Sequence, residues 1–109
     1  MRNRSFKVRF PIFADYEVRI IFSQNLKTTC DRLNTDAYPC EACFIPGENK
    51  GWLVFPCAPD EGTIAHEASH VVQELFRHVG ARRDDEVFAY HLDYLVSRIH
   101  RFLKRDCGN

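Results

Sequence analysis

A chain of 109 residues is long enough for one domain with a modest apolar core and too short for a second lobe. Its 45% hydrophobic and 13% aromatic content excludes a disordered chain, while 15 Lys+Arg against 15 Asp+Glu exclude an overall field that would draw it to nucleic acid or an anionic membrane. Local basic clusters at the two ends, Arg2, Arg4, Lys7 and Arg9, then Arg98, Arg101, Lys104 and Arg105, read as solvated faces of a strand and a helix.

The start, MRNRSFKVRFPIF, alternates apolar and charged residues and lacks the uninterrupted apolar centre of a signal peptide. No later segment is apolar over the about 20 residues a membrane helix needs. A cytoplasmic protein with no membrane partner is therefore expected. Five cysteines, an odd number, fit a reducing compartment better than a disulfide framework. Cys40-x-x-Cys43 has metal-ligand spacing, and Cys30 and Cys57 could complete a four-thiolate zinc site; a lone C-x-x-C is weak support, so ordinary thiols are the default.

In chain order, Phe6, Val8 and Phe10 alternate with charged residues, Pro11 interrupts, and Tyr16, Val18, Ile20 and Phe22 alternate again. These are two amphipathic strands, expected to be neighbours in a sheet. Ser23 is a plausible cap for a short helix to Leu33 with Leu26, Cys30 and Leu33 on one face. Residues 34–41 read as loop. Ala42 to Ile45 and Trp52 to Cys57 read as strands of a hairpin closed by Pro46-Gly47-Glu48-Asn49-Lys50-Gly51. Trp52 and Phe55 are expected in the core rather than in a substrate pocket.

Residues 63–79, TIAHEASHVVQELFRHV, carry an apolar stripe of Ala68, Val71, Val72, Leu75, Phe76 and Val79, with Gly62-Thr63 as a cap before it and Gly80 as a stop after it. Residues 84–104 form a second helix with a core seam of Phe88, Leu92, Leu95, Ile99 and Phe102. The order strand, strand, helix, strand, strand, helix, helix is α+β: one antiparallel sheet covered by helices.

The first of these two helices holds His66-Glu67-Ala68-Ser69-His70. Residues four apart stack on one helix face, so His66 and His70 can offer two imidazole nitrogens to one ion, with zinc the expected metal. Glu67, one residue along, lies beside that ion, where a general base takes a proton from a metal-activated water. Such a pentapeptide arises by chance in on the order of one in a few hundred chains of this length, and its helical context lowers that further.

A catalytic zinc takes three protein ligands. The long form H-E-x-x-H-x-x-G-x-x-H fails, because Gln73 replaces its glycine and Phe76 its third histidine. Glu74 and His78 share the helix face, but three successive turns at about 5.4 Å each cannot reach one ion. Glu86, in the first turn of the second helix, is the leading third ligand, with Asp85, His91 and Asp93 as competitors. Glu86 lies on a polar face with Ala89, Tyr90, Asp93, Ser97 and His100, where Ala89 is small enough to let helices approach.

An H-E-x-x-H helix followed by a helix opening Glu86-x-x-Ala89-Tyr90 resembles the gluzincin pattern at its minimal size. The stretch GTIAHEASHVVQELFRHVGARRDDEVFAYHLDYLVSRIHRFL is also similar to small zinc-peptidase-like proteins of bacteriophages and prophages. The resemblance covers about the last fifty residues well and the first half only in outline. It implies a zincin-like domain, His66, His70 and Glu86 as ligands, Glu67 as base, and a bacterial host cytoplasm or virion as location; it says little about substrate.

A zinc metallopeptidase cleaving peptide or protein substrates, within a larger assembly if its cleft is shallow, is the expectation. Tyr90 is the leading oxyanion donor, with His91 or Tyr94 as alternatives, and Asp93 could orient a ligand imidazole. A sheet edge bordering the metal could take an extended peptide as an added strand, or could be a plain core hairpin. The alternative function is a non-catalytic protein whose zinc holds the two C-terminal helices together. Nucleic-acid binding lacks any reading motif.

Overall fold

The computed structural model describes residues 3–10, 16–33, 42–79 and 85–106, except the side chains at 79, 85 and 106. Its elements are β1 (Arg4–Arg9), β2 (Glu17–Ser23), α1 (Leu26–Arg32), β3 (Cys43–Pro46), β4 (Lys50–Pro56), α2 (Glu61–Val79) and α3 (Asp85–Asp106). No helix among the described residues is long and apolar enough to cross a membrane.

Two antiparallel hairpin pairs build the sheet: β1 on β2, with Val8 opposite Val18, and β3 on β4, with Phe44 opposite Leu53. The expectation of a wholly antiparallel sheet is corrected here. The strand order is β1-β2-β4-β3, and β2 and β4 run parallel, from Glu17 opposite Lys50 to Ser23 opposite Pro56. Composition explains which strands lie inside. β2 carries Ile20-Ile21-Phe22 and β4 carries Leu53-Val54-Phe55, unbroken apolar runs that only a strand covered on both faces can bury. β1 alternates exposed and half-buried positions, as an edge strand does.

Each face of the sheet has its own apolar layer. Val18, Ile20, Phe22, Leu53 and Phe55 pack against Ile64, Ala68, Val71, Val72 and Leu75 of α2, and Phe88, Leu95 and Ile99 of α3 join the same core. Ile21 and Val54, one residue out of phase, point to the opposite face, where they meet Cys30 of α1 and Cys43 of β3, with Trp52 half-buried beside them. The period of two along a strand puts neighbours on opposite faces, so the two layers follow from the register. Phe55 is thus a core residue, and Trp52 packs half-buried against the opposite layer.

α1 is capped by Asn25, whose Oδ1 accepts the Thr28 N–H at 3.0 Å, and not by Ser23. Ser23 ends β2; its hydroxyl accepts the Asn25 N–H at 3.0 Å and lies 2.6 Å from Thr29 Oγ1, which fixes the strand-to-helix corner.

Gly51 in β4 is required by close approach. A Cβ there would stand 2.9 Å from the Phe44 ring, 2.9 Å from the Tyr16 hydroxyl and 3.3 Å from the Ile45 carbonyl oxygen. Gly51→Ala is expected to destabilise the protein by roughly 1–3 kcal/mol through overpacking. Thermal melts check this; an unchanged Tm would mean that β3 yields without cost.

Candidate metal centre

α2 is capped by Asp60, two residues before the expected cap. Its carboxylate accepts the Thr63 N–H at 2.7 Å and its carbonyl oxygen accepts the Ile64 N–H at 3.1 Å. The Thr63 bonds hold the Asp60 carboxyl below its ordinary 3.8. A depressed folded-state value gives stability that is complete above the unfolded pKa and lost as pH falls through the folded one. Asp60→Ala is therefore expected to lower Tm at neutral pH and to flatten the Tm decline below about pH 4, as measured by melts across an acid series.

From this cap the helix carries the two histidines outward. The Nε2 atoms of His66 and His70 stand 3.3 Å apart, with the rings nearly perpendicular at 83° and their centres 4.8 Å apart. Two nitrogens bound at about 2.0–2.1 Å to one tetrahedral ion are about 3.3–3.4 Å apart, so the separation of the two imidazole nitrogens, also that of a hydrogen bond between the rings, matches a zinc-like ion. Glu67 Oε2 lies 3.9 Å from His66 Nε2. Ligand atoms of His66, Glu67 and His70 all fall within 4.8 Å of one another, the one such group among the described residues. The His66 side chain is 69% exposed and that of Glu67 13%, so the ion would face solvent while the carboxylate sits against the protein.

Glu67 and His70 open onto a groove of about 460 Å³ between α2 and β3, lined also by Phe44, Pro46, Gln73, Glu74 and Arg77. β3 is the outer strand of the sheet, so the expectation that a hairpin strand borders the site holds. Sequence reading did not select Phe44, Pro46 or Arg77. Arg77 donates to both Glu74 carboxylate oxygens, at 2.9 and 2.8 Å, and the three-residue helical spacing was the available signal.

The other expected site residues are not brought to this group. Phe88 and His91 of α3 lie against Phe76 of α2, with ring centres 5.7 and 5.9 Å apart, which places the first turns of α3 beside the last turns of α2. Glu86 is exposed there and is not a member of the cluster. Residues 71–79 continue α2 beyond His70, a rise of about 14 Å at about 1.5 Å per residue. Ala89, Tyr90, Asp93 and Ser97 share the solvent face, with Tyr90 52% exposed, so Ala89 mediates no helix approach. His91 is buried, its Nδ1–H donating to the Val87 carbonyl at 2.8 Å and its ring near Phe10. Tyr94 packs near Phe10 and its hydroxyl donates to the Arg9 carbonyl at 3.4 Å. The Asp85 side chain lies outside the described residues.

Of the cysteines, Cys30 and Cys43 have sulfurs 3.2 Å apart, while Cys57 donates to the Ser23 carbonyl at 3.4 Å. Among the described residues no third thiol joins the pair, and Cys40 lies outside them. The basic end of α3 is exposed at Arg101, Lys104 and Arg105, as a solvated face should be.

No protein-family model matches the chain, and no curated protein or solved structure is significantly similar to it.

Proposed function

We propose that the protein is a zinc-dependent peptidase in which His66 and His70 hold the metal and Glu67 is the general base. The observation that carries this reading is the 3.3 Å separation of the two Nε2 atoms with a carboxylate 3.9 Å away: two of the three protein ligands a hydrolytic zinc takes, with a candidate base beside them. Zinc, when bound, would polarise a peptide carbonyl and acidify water. Glu67 Oε2 accepts the proton of the attacking water and returns it to the departing amine nitrogen. Its largely shielded side chain keeps that oxygen aimed at the histidine pair.

Glu86, the third ligand of the gluzincin pattern, is left out of this set because of its place at the far end of α2. A set without it binds zinc less tightly than three protein ligands would. The substrate is an extended peptide segment. The outer strand β3 offers main-chain pairing along the groove, Phe44 and Pro46 offer apolar contact, and the Glu74–Arg77 pair adds little net charge. An open groove on a small protein suits segments already exposed, as on a larger assembly. The alternative in which zinc clamps α2 to α3 is weaker. Both histidines belong to α2, and the two helices already meet through Phe76, Phe88 and the shared apolar core.

The test is a quenched-fluorescence library of unstructured peptides with zinc-loaded protein. Cleavage is expected, is removed by a chelator and returns with zinc. No cleavage of any member would overturn the reading.

A further inference from the structure

We infer that Cys30 and Cys43 form a disulfide-forming pair, a redox modification site that fastens the outer strand β3 to α1 independently of any metal at the histidines. The two sulfurs stand 3.2 Å apart, roughly 1 Å beyond the about 2.05 Å of an S–S bond. Side-chain rotation closes that gap. Cys30 comes from the last turn of α1 and Cys43 is the first residue of β3; both are buried, at 1% and 9% exposure, beside Ile21 and Val54. Among the described residues no third thiol joins these two in their apolar layer, and Cys57 donates instead to the Ser23 carbonyl.

The reaction needs an oxidant, a low-molecular-weight disulfide. The Cys43 thiolate, the more accessible of the two, attacks one sulfur of that disulfide and releases one small thiol. The Cys30 thiolate then attacks the Cys43 sulfur of the mixed disulfide and releases the second. Two protein thiols and one small disulfide thus become one protein disulfide and two small thiols. Burial first, then the contact with Cys30, pushes the Cys43 thiol up to about 12, so little thiolate is present at neutral pH and the exchange is slow. The bond would hold the strand that carries Phe44, a wall of the groove.

Full-length protein equilibrated with glutathione disulfide, then alkylated and mapped by mass spectrometry, tests this. A linked peptide joining Cys30 to Cys43 is expected, lighter by two hydrogens, with Tm raised by on the order of 10 °C over the reduced form. Cys30→Ala and Cys43→Ala each abolish the shift and Cys57→Ser preserves it. Recovery of both residues alkylated after oxidation, or of either linked instead to Cys40 or Cys107, would overturn the inference. The wild-type map decides even if an alanine variant fails to fold.

Discussion

Alanine at His66 or His70 lowers zinc affinity by about 100-fold or more, whereas alanine at Glu86 leaves it within a factor of about two, the span of ordinary surface substitutions. The contrast follows from geometry. The two imidazole nitrogens already stand at the separation a tetrahedral ion imposes, so removing either leaves a single strong donor. Glu86 is exposed at the start of α3, beside the last turns of α2, and lies outside the histidine group. Both histidines are exposed, so their loss leaves the core intact, and circular dichroism should show unchanged helix content. The measurement is competition for zinc against a chelating dye, with metal content as a check. A large loss of zinc on Glu86→Ala would mean that α3 shifts on metal binding and that the gluzincin ligand set is right after all.

Glu67→Gln is expected to keep zinc within a few-fold of wild type and to lower kcat by roughly 100- to 10,000-fold, the span assigned to a positioned general base. Glutamine preserves the shape of the side chain and its half-buried seat but cannot accept the proton. KM should change little, because the peptide is held along β3 and the groove rather than by this carboxylate. The readout is steady-state cleavage of whichever peptide the library yields. Retained kcat with bound zinc would remove Glu67 from the chemistry and leave the group as a metal site alone. A loss of zinc together with kcat would instead make Glu67 a ligand, which its 3.9 Å approach to His66 Nε2 also permits.

The two outcomes separate binding from catalysis, and neither substitution removes a thiol, although the Glu67 charge acts on that of Cys43. Cys43 lies in the strand next to Phe44, yet its partner Cys30 and the neighbours Ile21 and Val54 belong to the sheet face opposite the α2 layer. Oxidation is scored on stability in wild type, because Glu67→Gln removes a charge that acts on the Cys43 thiol.

The amino-acid sequence by itself determined what depends on near neighbours. The order of seven elements, the apolar seam of α3 and the meeting of His66 with His70 follow from residue periodicity, because one helix's own backbone hydrogen bonds bring positions four apart together. Only the tertiary structure decided what depends on distant segments. Pairing β2 with β4 in parallel requires the two hairpins to find each other across α1, and no local signal in either strand names its partner. The Glu86-x-x-Ala89-Tyr90 opening of the second helix matched a familiar ligand pattern, but the reach of that carboxylate depends on how many of the residues between it and His70 extend the first helix instead of turning back. Here α2 runs on to Val79, and the contacts of Phe76 with Phe88 and His91 fix α3 beside its far end. The contact of Cys30 with Cys43 was invisible for the same reason: it exists only because α1 folds onto the sheet, where apolar burial summed over many residues outweighs any single spacing rule.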